Sequence, residues 1–287
     1  MKNILRKECF LFFSLIFFPV LCSAQEETAT NFKNIFSLHL SMDYNFIAFE
    51  QTSLDHTLMT NRPWDFGIGL GIFNISIGFS FSIPFLYDQN YKKSQTFDVN
   101  FNSYNKNNKH FFYGYIKYYS GFNDGAENEY DLTILNSGLT MAILFNRDHS
   151  IRSVYKLDRR QNVSNGSLLI GGGLFLSSIH SENSDLSGYS ERQITFHTGP
   201  NIGYSYTWVF GNFFINALST FGINFVVNNT DISAGLQILP KFSFGYHGKK
   251  WSFNIYSDYS YFLANFDTTE QYNILSGDAG FSFVRRF

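Results

Sequence analysis

The chain between Ile194 and Val227 alternates apolar and polar residues over an unusually long distance. From Ile194 to Phe210 the apolar residues occupy even positions, whereas from Phe213 to Val227 they occupy odd positions. Because side chains alternate between the two faces of a strand, each half predicts one strand with a single apolar face. The change of parity across Gly211-Asn212 places Phe210 opposite Phe213, as a two-residue hairpin turn requires.

The length and uniformity of these apolar faces indicate contact with lipid. Each predicted strand is much longer than the roughly five or six residues typical of soluble sheets, and its apolar face carries no charge. A soluble β-sandwich, the alternative fold, should have shorter strands and more charge on its outer faces. Strands that are apolar toward lipid and polar toward a lumen are typical of membrane barrels. We therefore predict an all-β fold, a transmembrane antiparallel up-and-down β-barrel.

The same alternation recurs from residue 32 to residue 287 and predicts a barrel of about 12 strands, with a range of about 10 to 14. A second tight hairpin is predicted at Phe73-Asn74, and the segment from Ile151 to Arg160 is interpreted as a further strand. These assignments give an odd number of strands, whereas a barrel with both chain ends on one side needs an even number. One assignment is therefore wrong: the Phe73-Asn74 turn is not a turn, or Asp55 to Asn61 is an additional strand.

The first residues predict a cleaved secretory signal peptide. A positively charged start is followed by an apolar run, Phe10 to Leu21, and by the small-x-small sequence Cys22 to Ala24. A lipoprotein signal at Cys22 is disfavoured, because Leu21 stands where a small residue is expected. We expect a signal peptide at residues 1–24, a polar leader at 25–31 and an outer-membrane barrel at 32–287.

Composition narrows the function classes. Both cysteines, Cys9 and Cys22, fall within the predicted signal, so that the mature chain offers neither disulfides nor a cysteine zinc site. The formal net charge is −2 and no basic stripe is present, so nucleic acid is not an expected partner. Aromatic residues make up 20% of the chain, and girdles at the two membrane interfaces would use many of them. The sequence contains no fingerprint for a metal or a cofactor, and we expect neither.

Charged residues on one side of the predicted strand 151–160 form the best candidate site. They cannot face lipid, where each would cost about 2–4 kcal/mol at mid-depth, so they should face a wet lumen or one another. Together with two residues on other inward faces, they make a candidate lumen charge cluster: Arg152, Lys156, Asp158, Arg160, Lys241 and Asp258. The cluster is interpreted either as a salt-bridged plug that fills the barrel or as a constriction in a narrow pore.

A weaker candidate is catalytic. Ser178, His180 and Glu182 alternate on one predicted outward face, at the end of a strand. They could in principle supply a nucleophile, a base and an orienting carboxylate. Neighbouring residues on one face of one strand are a poor geometry for three such roles, and a polar transition from strand to loop explains them as well.

The chain ends in a strand with a terminal aromatic residue. Phe281, Phe283 and Phe287 share one face, which resembles the C-terminal signal by which barrels are recognised by the outer-membrane insertion machinery. Arg285 departs from that pattern, but an interfacial arginine can extend to water.

Several stretches also resemble a known family. The matching segments are 67–71 with 83–85, 118–121, and the close at 281–287; the most specific match consists of Arg160, Gln161, Ser164, Gly166 and Ser167. On these residues the chain resembles a family of Bacteroidetes outer-membrane proteins, the domain of unknown function 4421 family. The resemblance implies an outer-membrane barrel and no particular activity.

These patterns predict a monomeric barrel in the outer membrane, in contact with lipid. Its expected role is that of a passive narrow pore or a structural envelope component, with lumen charges setting any selectivity. The alternative is a lipid-modifying enzyme at the outer rim, of the phospholipase or lipid A deacylase type.

Overall fold

The protein forms fifteen strands and one short helix among the residues that the structure describes. A computed structural model describes residues 28–32, 35–51, 57–60, 64–83, 86, 95–105, 109–124, 128–182, 186, 192–228, 231–264 and 272–287. The predicted signal peptide lies outside these residues. The elements are β1 (Ala29–Asn31), β2 (Phe36–Gln51), β3 (Leu58–Thr60), β4 (Trp64–Ile72), β5 (Ile75–Ser82), β6 (Gln95–Tyr104), β7 (His110–Asn123), β8 (Glu129–Leu144), α1 (Arg152–Tyr155), β9 (Arg159–Gln161), β10 (Asn165–Ser181), β11 (Gln193–Phe210), β12 (Phe213–Asn228), β13 (Asp231–His247), β14 (Trp251–Ala264) and β15 (Tyr272–Arg286).

Twelve of these strands form a closed antiparallel barrel. Consecutive long strands pair as neighbours, and β15 pairs with β2 to close the ring. The hairpin that organises the sequence is confirmed, because Phe210 pairs with Phe213 across the turn at Gly211-Asn212. The second hairpin is confirmed as well, with Ile72 opposite Ile75.

The predicted strand from Ile151 to Arg160 is wrong, and its removal resolves the odd strand count. The segment folds instead as α1, followed by Leu157 with a φ of 53° and by the three-residue β9. A residue at positive φ interrupts an extended strand. Arg152, Lys156 and Asp158 bond to one another within the lumen, where the sequence placed their charges. We call residues 145–164, between β8 and β10, the insert.

The short segment before Asn61 does contain a strand, but it is not one of the twelve. β3 pairs with β2 at Ala48 and Phe49, and with β7 at Phe122 and Asn123. It therefore bridges β2 and β7 beyond the ends of β4, β5 and β6, which have only 9, 8 and 10 residues.

The two faces of the wall have opposite chemistry. Exposed large hydrophobic side chains cover the outside on every barrel strand, with examples such as Ile68, Ile77, Leu174, Phe225 and Ile255. The inward positions carry glycine, serine, asparagine and charged residues, most of them buried. Within the described residues, no helix is long and apolar enough to cross a membrane.

The two ends of the barrel differ. The tight turns at 73–74, 211–212 and 248–250, the insert and the end of β15 lie together at one end, which we call the turn end. The longer connections between β5 and β6, between β10 and β11 and between β14 and β15 lie at the opposite end, which we call the loop end.

Candidate functional site: the plugged lumen

The insert occupies the turn end of the lumen and is held there by buried charges. Arg152 donates two hydrogen bonds to Asp158, the shorter at 2.6 Å, and one at 2.8 Å to Asn74 in the β4–β5 turn. Lys156 lies 3.1 Å from the same carboxylate and donates to the carbonyls of Phe73 and Ile75. The two ion pairs lie within the insert, and the hydrogen bonds to Asn74, Phe73 and Ile75 tie it to the β4–β5 hairpin.

A neighbouring part of the wall is tied to the insert by Arg286, an inward-facing residue of β15. Its guanidinium donates to the Leu157 carbonyl at 2.5 Å and to the Ser252 hydroxyl at 2.9 Å, and it lies 3.7 Å from the ring centre of Phe32. The amide of Asn254 donates to the Val154 carbonyl. Neither Arg286 nor Asn254 was part of the sequence-based site.

The family-motif residues fasten the insert to itself and to β10 and β11. The buried Gln161 side chain accepts from the Ser150 amide at 2.9 Å and donates to the carbonyls of Asp148 and Val163. The hydroxyl of Ser164 accepts from the Val209 amide. These bonds form a polar clasp around the ends of the insert.

The remaining motif residues are Arg160, Gly166 and Ser167, and two of them also hold the insert against the wall. Ser167 accepts from the Asn146 amide at 3.0 Å, while Arg160 donates to the Gly211 carbonyl at the rim. A Cβ at Gly166 would lie about 2.5 Å from the side chains of Tyr204 and Tyr206, so no larger residue fits there without displacement.

The N-terminal residues also join the plug. β1, which lies in the segment expected to be a leader, pairs with β9 from Ala29–Gln161 to Asn31–Arg159. The strand β9 thereby gains a partner, since it pairs with no strand of the barrel ring.

Burial lowers the pKa of two basic residues of the insert, His149 and Lys156. Desolvation lowers the pKa of His149 to about 4, and its Nε2 lies 2.9 Å from the Ser205 hydroxyl of β11. Desolvation also lowers the pKa of Lys156, while the neighbouring Asp158 opposes that shift. The insert is thus docked with a neutral histidine at its centre.

A cavity of about 240 Å³, lined by polar and apolar side chains, lies above the insert, and we call it the central chamber. Lys117 of β7 forms an ion pair with Asp278 of β15 and lies 3.5 Å from Asp98 of β6. These three residues were missed by sequence reasoning. No pattern within any one strand groups these residues, because only the pairing register of different strands brings them together.

The predicted charge cluster is brought together only in part. Arg152, Lys156 and Asp158 are in direct contact, whereas Arg160 lies at the rim. Lys241 and Asp258 form a separate ion pair in the central chamber and approach α1 through the ring of Tyr155, 5.7 Å from the Lys241 ammonium. The sequence could not separate these groups, because it does not show the curvature of the wall.

Buried apolar side chains fill the loop end of the lumen on the other side of the chamber. The cluster includes residues of five barrel strands, β3 and the connection after β10: Ile47, Phe49, Leu58, Tyr119, Phe122, Tyr130, Leu132, Ile134, Ile179, Leu186 and Ile274. The central chamber therefore lies between the insert and this apolar cluster.

The candidate catalytic residues do not form a relay. Ser178 is buried, Glu182 is exposed, and no hydrogen bond joins the described side chains of Ser178 and His180. The described residues also contain no group of three or more histidine or acidic side chains that could hold a metal.

The C-terminal aromatic residues lie outward at the turn end. Phe281 and Phe287 are exposed, and the ring of Phe287 lies 5.8 Å from that of Phe36 on the adjoining strand. Phe283 lies on the same face between them and is partly buried.

A closed antiparallel ring with an apolar outside, and with a polar lumen filled by an internal segment, defines a plugged β-barrel of the outer-membrane type. The family match is equally clear. The chain belongs to the family described as Domain of unknown function (DUF4421), which matches residues 28–286.

Comparison with solved structures gives distant matches. The translocator domain of the autotransporter NalP from Neisseria meningitidis matches with a TM-score of 0.46 and 10% identity, covering 100% of this chain and 96% of that one. A bacterial polysaccharide outer membrane secretin has a TM-score of 0.43 and 10% identity, over 92% of this chain and 100% of that one. OmpT, an outer membrane protein of Vibrio cholerae, has a TM-score of 0.35 and 7% identity, over 86% and 98%. No curated protein matches the chain. Similarity this low carries no information about activity.

Proposed function

We propose that this protein spans the outer membrane with its turn end toward the periplasm and its loop end outward. Short turns at the periplasmic end and longer outer loops are the usual arrangement in such barrels. The exposed apolar belt supports contact with lipid, and a ring of outward aromatic residues at the turn end supports an interface there: Phe36, Phe213, Tyr246, Trp251, Phe281 and Phe287.

Within that membrane, we propose that the protein acts as a gated narrow pore for small polar solutes. The observation that carries this proposal is the central chamber, which lies between an apolar cluster and an insert that is held in the lumen only by noncovalent bonds. A purely structural barrel would be expected to satisfy its inner polar atoms. Here several are buried without a partner, including Asn136 Oδ1 and Asn201 Nδ2, as expected for a space that accepts a polar solute.

Conductance in planar bilayers tests the gating. The wild-type protein should be silent or nearly so. A variant with Asp158→Asn and Gln161→Leu should show frequent openings, because it loses the ion pairs of Arg152 and Lys156 and the clasp at Ser150. The matched control is Asp148→Asn, which alters an exposed carboxyl of the insert.

Steady conductance of the wild type would indicate an open pore and contradict the gate. Silence of both proteins, with folding verified by heat-modifiable gel mobility, would instead support a structural envelope component. Lipid turnover by folded protein in outer-membrane vesicles would support the enzymatic alternative.

A further inference from the structure

The central chamber is lined by more carboxyl groups than ammonium groups. Among the described residues that line it, the carboxylates are Asp43, Asp98, Asp258 and Asp278, whereas the ammonium groups are Lys117 and Lys241. An enclosed charge without a partner is strongly unfavourable, so a lumen of this composition favours a cationic occupant.

Five hydrogen-bond acceptors on described residues that line this chamber are buried without a partner. Three of them, Asp98 Oδ1, Asn136 Oδ1 and Asp278 Oδ1, belong to residues around Lys117. Asp98 and Asn136, each 8% exposed, flank Lys117 in the strand register, and Lys117 itself pairs with Asp278. These three atoms are acceptors around one point, and they call for a ligand with several N–H donors. Among its described lining residues the chamber also has one unpartnered donor, Asn201 Nδ2.

Aromatic rings at the same level suit such a ligand. Tyr113, Tyr115 and Tyr256 line the chamber, and the Lys241 ammonium already lies 4.8 Å from the ring centre of Tyr113. The negative face of an aromatic ring attracts an ammonium group. The cavity volume of about 240 Å³ suits a small molecule.

We propose that the central chamber binds a small organic cation with a primary ammonium group, which donates to Asp98, Asn136 and Asp278. This site goes beyond the gated pore, because binding in the chamber does not require that the barrel conducts.

Calorimetric titration of the full-length protein in detergent tests the site. The probes are 1,4-diaminobutane, the neutral 1,4-butanediol and the anionic succinate, each at millimolar concentration. The diamine should bind saturably with one molecule per chain, and the other two should not. Asp98→Asn and Asn136→Leu should each weaken diamine binding by roughly tenfold or more, as expected for loss of a hydrogen bond to a charged group. Asp148→Asn should bind as the wild type does.

As a control for entry of the ligand into the plugged barrel, the titration is repeated with the loosened variant, Asp158→Asn with Gln161→Leu. Heat-modifiable gel mobility verifies that each variant is folded. Lack of saturable diamine binding in both the wild type and the loosened variant would overturn the proposal, as would equal binding of the diol. Unchanged affinity in the folded Asp98→Asn and Asn136→Leu variants, or displacement of the diamine by magnesium ions at equal concentration, would overturn it too.

Discussion

Lys117 on β7 forms an ion pair with Asp278 on β15 across the lumen, although 161 residues separate them in the chain. Replacement of Lys117 by Met leaves the carboxylates of Asp98 and Asp278 buried without a cation. We expect the free energy of unfolding to fall by about 3–5 kcal/mol, the usual effect of breaking a buried pair. Denaturant unfolding in detergent measures this change. Adding Asp278→Asn should restore part of the loss, and a double variant less stable than Lys117→Met alone would contradict the pairing.

Gln161 is expected to be the main clasp of the insert. Gln161→Leu leaves the Ser150 amide and the Asp148 carbonyl without their partner, at a cost of about 1–3 kcal/mol for each buried group. The insert should then leave the lumen more often, and trypsin should cleave faster after Arg159 and Arg160. The exposed Lys249→Ala is the control, and an unchanged cleavage rate in the Gln161 variant would show that the clasp is dispensable.

Docking of the insert should depend on pH through His149. Burial lowers the pKa of this residue to about 4, whereas the released insert should titrate near 6.5. Above pH 6.5 both states are neutral and docking is independent of pH. Between pH 6.5 and 4 only the released state binds the proton, so docking should weaken by up to about tenfold per pH unit. Hydrogen exchange of residues 149–157 measures this, and the slope should vanish in His149→Phe.

The outward apolar belt predicts that the free-energy cost of placing a charge on the outside of the barrel depends on its depth in the membrane. Ile77 lies outward near the middle of β5 and Phe210 lies outward at the turn end. Ile77→Arg should destabilise the protein in lipid vesicles by about 2–4 kcal/mol, and Phe210→Arg by about 0–1 kcal/mol. Equal costs at the two positions would argue against a bilayer around this wall.

The terminal aromatic residue is expected to guide membrane assembly. Phe287→Ser should reduce the folded, heat-modifiable fraction in outer membranes several-fold, since the insertion machinery would lose its recognition residue. Phe210→Ser removes a similar outward ring from the turn end without altering the last strand. A similar yield for both variants would remove the special role of Phe287.

The sequence predicts the wall of this barrel well and its contents poorly. Alternation between Ile194 and Val227 depends only on which face meets lipid, so strands, turns and faces follow from parity. The insert escaped prediction because the segment around Lys156 alternates by coincidence, although its charges correctly indicated the lumen. Lys117, Asp98 and Asp278 could not be grouped, because contacts across the lumen depend on register and closure.

The extent of strand pairing also varies around the wall. Above β4, β5 and β6 its continuity rests on β3, which is joined by two residue pairs to β2 and by two to β7. The ladders between all other neighbouring strands of the ring have between seven and sixteen pairs. A lateral seam of the cylinder therefore lies at β3, and amide protons there should exchange before those of any other junction.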